Sequence, residues 1–336
     1  MQQASRQQRG SLFRRTVLAG ITVAAVIAAM TPDVATAQAY PSRPLRMIVP
    51  FSPGGAADIL ARTVSEPLGR NLGQSVLVIN RDGGGTVVGV NEAARASPDG
   101  YTLLLSGDAA IVNAASGRKL PYDLFKDLTP VSMVYSSTQA MVVRRTGPYN
   151  TLQDVVKYGR DNPGQIKFGS VGVGSAAHMS AELFNQGAGI RGLHVPYRGA
   201  APALNDLAGG QFDYIIIGTS AVIAAVKGGQ FRSVAVMSKQ RSPQLPDVPT
   251  SFEQGINVET GSWYGLYLTG GAPAVAVTRV QTALKATLSE PAVGDRFRSL
   301  GGEGRPMTQQ EFTTFMKGEV GKFAKLIKDL NIKLDE

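Results

Sequence analysis

The chain has 336 residues, with 34 Lys and Arg against 25 Asp and Glu, a net charge of +9, two His and no Cys. Without Cys there are no disulfides, no thiolate catalysis, no Cys-ligated metal and no lipoprotein anchor, and two His leave no clustered metal-ligand spacing. The basic residues form no run and do not interleave with aromatics, which excludes a nucleic-acid-reading module and leaves a surface that favours anionic ligands.

Arg6, Arg9, Arg14 and Arg15 precede the first acid, Asp33, and an Ala/Val/Ile-rich run over residues 17–30 ends before Pro32. Two small-x-small sites follow, Ala35-Thr36-Ala37 and Ala37-Gln38-Ala39. A basic region, a short apolar region and such a site predict a signal peptide over residues 1–39. The run is shorter than the ~20 residues of a membrane span, and no later stretch is long enough, so no stable membrane insertion is expected after cleavage. Arg14-Arg15 before Val17-Leu18 fits the twin-arginine route as well as general secretion. The remaining ~300 residues suit two domains of ~150 each.

The first predicted strand, 46–49, runs into Pro50-Phe-Ser-Pro-Gly-Gly55 and then a helix over 57–72. Strand, glycine turn and helix start make an anion site, because the first N–H groups of a helix have no internal partner and sit at the positive end of its dipole. Asp58 falls in the first turn, where an acid caps free N–H groups. Strands at 75–79 and 101–106 flank a helix at 88–96. Apolar runs at 131–134 and 140–143 surround a polar Ser136-Ser-Thr138, a candidate crossover between domains. A helix at 152–162 leads to a strand at 167–170 and a second elbow, Val171-Gly-Val-Gly-Ser-Ala-Ala-His178, in which Ser175 is a plausible N-cap and Gly172 and Gly174 leave amides open. Beyond it lie strands at 193–195, 214–217 and 233–237 and helices at 200–208, 221–227 and 250–254. The strand at 263–268 is a second crossover, where Trp263-Tyr264 serve as hinge packing or cleft wall. Helices at 273–289, 292–300 and 309–331 close the chain. Apolar strands alternating with helices predict an α/β fold with mostly parallel sheets covered on both faces.

Gly172-Val-Gly174-Ser-Ala-Ala177 is a poor dinucleotide fingerprint, since its third glycine is Ala177 and no acid ends the next strand. No serine sits in a Gly-x-Ser-x-Gly elbow. Arg198, just after a strand, suits either a carboxylate clamp or a surface pair with Asp206 or Asp213.

Several stretches together resemble one family: Tyr40-Pro-Ser-Arg-Pro-Leu-Arg-Met-Ile-Val-Pro-Phe-Ser-Pro-Gly-Gly55, Asp58, Asn80-Arg81, Ser97-Pro-Asp-Gly-Tyr-Thr-Leu-Leu104, Leu120-Pro-Tyr-Asp123, His194-Val-Pro-Tyr-Arg-Gly199, Ala201-Pro-Ala-Leu204 and Arg241-Ser-Pro-Gln-Leu-Pro-Asp-Val-Pro-Thr250. Almost end to end after residue 39, the chain resembles the periplasmic Bug-type receptors of tripartite tricarboxylate transporters. The resemblance implies a two-lobed periplasmic binding protein of the type II, Venus-flytrap form, with lobe 1 at residues 40–137 plus 266–336 and lobe 2 at 138–265. It implies capture of a small carboxylate, delivery to membrane permease subunits, and no enzyme activity, cofactor, metal or nucleic acid. The family's pincer loops fall on Phe51, Ser52, Gly54, Gly55, Ala56, Ala57 and Asp58, and on Gly172, Val173, Gly174, Ser175, Ala176 and His178. Ser106 and the loop after it would line lobe 1, and Arg198, Gly218 and Thr219 lobe 2. Members often carry Ser or Thr where Ala57 stands, Asn or Thr where Val173 and Ala176 stand, and Phe-Asp where Gly218-Thr219 stand. The departures predict a ligand with an apolar body, such as an aromatic or short-chain mono- or dicarboxylate, more than citrate. Alternatives are a receptor that presents its ligand to a membrane kinase, or an exported carboxylate-processing enzyme using His178.

Overall fold

The computed structural model of the protein describes residues 40–330 and 332; the expected signal peptide lies outside the described residues. Chain order begins with β1 (Leu45–Val49), α1 (Ala56–Leu72), β2 (Val76–Asn80), a 3-10 turn (Gly84–Thr86), α2 (Val87–Ala94), β3 (Thr102–Gly107) and α3 (Asp108–Ala115). Next come β4 (Leu128–Arg144), α4 (Leu152–Asp161), β5 (Lys167–Ser170), α5 (Ala176–Ala188), β6 (Leu193–Pro196), α6 (Ala200–Ala208), β7 (Tyr214–Gly218), α7 (Thr219–Lys227) and β8 (Phe231–Val236). The chain closes with β9 (Gly261–Thr269), α8 (Ala274–Leu288), α9 (Pro291–Ser299), β10 (Gly302–Gly304) and α10 (Gln309–Leu330).

The fold is α/β and two-lobed, with one mixed sheet in each lobe. In the first, β2, β1 and β3 run parallel, β9 joins β3 antiparallel, and the first part of β4 joins β9 antiparallel. In the second, β6, β5 and β7 run parallel, and the last part of β4 pairs antiparallel with β7 and β8. Strands delivered by a strand–helix unit are thus parallel, and β4 and its partners supply the antiparallel pairs. The two apolar runs expected around residues 136–138 are one 17-residue strand. It exchanges partners instead of stopping: Thr138 pairs with Gly261 and Gln139 with Gly218. Polar side chains at 136–138 do not break a strand whose backbone groups stay paired.

Both faces of each sheet are covered, which is why consecutive residues of β1 (Met47, Ile48, Val49) are all buried. Met47 and Val49 pack with Leu60 and Val64 of α1, while Ile48 packs with Ile111 of α3 and Phe312 of α10. In the second sheet Phe168 and Tyr214 meet Phe184 of α5, and Ile215 and Ile217 meet Leu207 of α6 and Val222 of α7. Each such side chain contributes about 1.5–3 kcal/mol by leaving water, enough to hold the loops at the strand ends in place. The helix expected at 250–254 is only a turn. Thr250 and Glu253 exchange capping bonds of 2.7 and 2.9 Å, and Gly255, at φ 79, ends the segment at once.

Candidate functional site

The first elbow joins β1 to α1. Gly54 takes φ 83, and its N–H donates to Asp58 Oδ2 at 3.0 Å. Arg62 Nε donates to the same oxygen at 3.0 Å, and this bond holds the buried Asp58 carboxyl below the usual carboxylate range. Asp58 therefore reaches back into the turn and ties down one of its amides. Asn80, at the end of β2, donates to the Phe51 carbonyl at 3.0 Å, and Ser52 Oγ donates to Asp82 Oδ2 at 2.7 Å.

The second elbow joins β5 to α5. Gly174, at φ 72, donates its N–H to His178 Nδ1 at 3.1 Å, and Gly172, at φ 140, donates to Ser170 Oγ at 3.2 Å. These two amides, expected to be open, are occupied by side chains of their own lobe. Ser175 is the N-cap: its Oγ accepts from the His178 N–H at 3.2 Å and donates to the Gly172 carbonyl at 2.7 Å. An accepting Nδ1 puts the His178 ring proton on Nε2, which lies 3.7 Å from Glu182 Oε1. His178 and His194 stack face to face, with ring centres 3.8 Å apart and planes within 6°. His194 Nε2 lies 2.7 Å from Ser170 Oγ, and burial, followed by the neighbouring His178, pulls the His194 imidazolium down to about 4.

Both elbows reach one cleft of about 550 Å³. Its walls include Phe51 and Ser52 from the first elbow and Val171, Gly172, Val173, Gly174 and Ser175 from the second. Gly54, Gly55 and Ala56 are exposed beside it, whereas Ala57 and Asp58 are buried under the first elbow. Among the described residues, none accepts from the amides of Gly55, Ala56, Val173 or Ala176. His178 lies behind the second elbow and is buried.

The other expected residues stand apart from this cleft. Ser106 is fully buried in the first sheet. Arg198 is exposed, and its two suggested acids have other partners: Asp206 accepts from Tyr197 and Asp213 from Tyr149 and Lys167. Gly218 caps α7, and Thr219, fully buried, donates to the Thr138 carbonyl at 2.5 Å where β4 changes sheets. Trp263 packs edge-on against Phe312 and Phe315 of α10. Its main-chain N–H donates at 3.3 Å to Asp108 Oδ1, whose carboxyl burial pushes up to about 7.

Of the opposite wall, sequence reasoning named only the loop after Ser106 and missed the rest. Asp82, Gly83, Gly84, Gly85 and Thr86 line the cleft, as do Ala109, Val112 and Asn113 of α3 and Arg118 after it. Three glycines after a strand end were a visible sign of left-handed backbone; α3 itself was read as loop.

Residues 60–332 match the family described as the tripartite tricarboxylate transporter family receptor. BugT of Bordetella pertussis is 33% identical over 302 residues, which cover 89% of this chain and 93% of BugT. The solved periplasmic binding protein BugD is 32% identical, covering 88% of this chain and 99% of that one at a TM-score of 0.72. A protein of R. palustris solved with adipate is 30% identical, covering 87% and 99%, at a TM-score of 0.75.

Proposed function

Because the chain belongs to the tripartite tricarboxylate transporter receptor family, we propose that it binds a small carboxylate with an apolar body in the periplasm and hands it to permease subunits of a tripartite transporter. The observation that carries this reading is that the two elbows, one from each sheet, meet at a single cleft, the first through Pro50, Phe51 and Ser52 and the second through residues 171–175, with Val112, Val171 and Val173 among its apolar walls. We take the lobes to be residues 40–137 with 266–336, and 138–265. The amides of Gly55, Ala56, Val173 and Ala176 hold a carboxylate directly or through water. The valines exclude water from the rest of the ligand. Adipate, bound by one relative, has this character: charged ends on an apolar stem. Closure follows to the extent that the ligand favours the closed form.

We read the site as one for capture and not turnover. The fully buried Ser170 spends its hydroxyl on Gly172 and His194, and His178 spends Nδ1 on the second elbow, so neither is presented to the cleft as nucleophile or base.

A thermal-shift screen of mono-, di- and tricarboxylates tests the proposal. A true ligand at a hundredfold its Kd stabilises by about 2.7 kcal/mol, and aromatic or linear carboxylates should lead. Citrate winning clearly over both would remove the apolar-body assignment, and no response to any carboxylate would remove the function.

A further inference from the structure

A β-branched residue stands in the cleft wall where the backbone favours glycine. Gly83, Gly84, Gly85 and Thr86 take φ of 118, 57, 60 and 86 in succession. Thr86 is the single non-glycine with positive φ among the described residues. A glycine adopts that conformation freely, whereas a β-branched side chain is strained in it. Such strain persists only where surrounding contacts impose it, and it gathers at ligand sites.

The usual reason for a Thr before a helix does not hold at this position. Thr86 is the N-cap of α2, yet its hydroxyl makes no capping bond to that helix. Its partner is Asn113 of α3, whose Nδ2 donates to Thr86 Oγ1 at 3.2 Å and to the Gly85 carbonyl at 2.7 Å. The orientation of this amide follows from Arg118, a donor only, whose Nη2 donates to Asn113 Oδ1. Asn113 thus has no amide hydrogen left for a ligand. Thr86 Oγ1, in contrast, receives a hydrogen and keeps its own O–H to give. Among the described residues none accepts it. Thr86 and Asn113 are both buried, and both line the cleft. Buried hydroxyl donors are normally met by an acceptor, and the cleft is the side from which one can arrive.

We propose that Thr86 is a specificity-determining residue: while a carboxylate sits at the elbows, the Thr86 hydroxyl donates to an uncharged acceptor on the body of the same ligand, a hydroxyl, carbonyl or ring nitrogen. One neutral donor meets one lone pair, which each of these groups offers without needing a countercharge. This rests on the carboxylate reading of the cleft and narrows it to acids whose body carries such an acceptor. Asn113 acts as a positioning residue: it holds Thr86 in its strained conformation and fills the hydroxyl's accepting side.

Calorimetric titration with acids that differ in one acceptor tests it: butyrate to octanoate, each beside its ω-hydroxy analogue, and benzoate beside nicotinate and the hydroxybenzoates. For the best pair, the acid with the acceptor should bind about three- to tenfold tighter than the plain one, the effect of one uncharged hydrogen bond. T86V keeps the β-branched shape and removes the hydroxyl. In it the ratio should fall to near one while plain-acid affinity stays within about twofold, less than one hydrogen bond is worth. T86S keeps the hydroxyl and should retain most of the ratio. A ratio unchanged in T86V overturns the assignment and leaves the carboxylate reading standing. Equal loss of both acids in T86V overturns it too, because Thr86 would then serve the shape of the loop. A ratio lost in T86S as fully as in T86V shows that the ligand meets the methyl group, and the assignment falls. If the unaltered protein binds plain acids and prefers none with an acceptor, the assignment alone falls; if it binds neither kind, the carboxylate reading falls and takes the assignment with it.

Discussion

In the first elbow a glycine at φ 83 gives its N–H to a carboxylate four residues on; in the second a glycine at φ 72 gives its N–H to an imidazole four residues on. The spacing is the same because both acceptors lie in the first turn of the following helix and reach back over its N-terminus. The chemistry differs. Asp58 is an anion, kept ionised by Arg62, and accepts from Gly54 at any neutral or mildly acidic pH. His178 accepts only while Nδ1 carries no proton, and it lies against a second imidazole. One half of the cleft is therefore braced by an ion pair and the other by an imidazole stacked on a second imidazole.

The largest effect expected from this comparison comes from the charged brace. D58A leaves the Gly54 N–H and the Arg62 guanidinium without their acceptor. Bonds to charged groups contribute about 1.5–3 kcal/mol, so urea unfolding should show a loss of that order, and D58N, which keeps one acceptor oxygen, a smaller one. A loss in D58A below about 0.5 kcal/mol, the range of ordinary surface substitutions, would mean that the first elbow keeps its shape without the carboxylate.

A smaller effect is expected at the neutral brace. H178L removes the acceptor of Gly174 and should cost about 1 kcal/mol, the net worth of an uncharged hydrogen bond, and should weaken carboxylate binding at the second elbow. In H178N the amide oxygen stands where Nδ1 stood, so part of both losses should return. If H178N is as impaired as H178L in calorimetry and unfolding, His178 matters for its stack on His194 and not for the hydrogen bond.

The elbows were legible in the sequence because each is a local pattern: an apolar strand, glycines, and a helix whose first turn carries the capping residue. Ser175 as N-cap needed only its neighbours to be recognised. The occupation of Gly54 and Gly174 was not legible, since an i to i+4 side chain can cap a helix or reach back into the turn, and only the loop geometry decides. The wall of Asp82 to Thr86 with Asn113 and Arg118 depends on contacts between residues about 27 to 36 apart, and nothing in an isolated Arg after an alanine-rich segment marks it. The continuity of β4 was hidden for a related reason: residues 136–138 read as a break by side-chain polarity, while the strand is held by backbone pairs to β9 and β10.

A last test separates the two halves by pH. Burial and His178 hold His194 down to about 4, against about 6.5 in an unfolded chain. Between those values the unfolded state binds more protons than the native one, so this group lowers stability as pH falls from about 6.5 to about 4. Asp108, in the other lobe, works the opposite way. Burial raises its carboxyl to about 7, against about 3.9 unfolded, so the native state binds more protons there and gains stability as pH falls through the same interval. The unaltered protein shows the sum, and its own pH profile can look flat. H194Q removes the first term alone, so the stability of H194Q relative to the parent should rise steadily as pH falls below about 6.5. D108N removes the second, so its relative stability should decline over the same range. Urea midpoints for the three proteins across this interval decide the matter: parallel curves for H194Q and the parent would show that His194 carries its proton as easily in the folded chain as in the unfolded one.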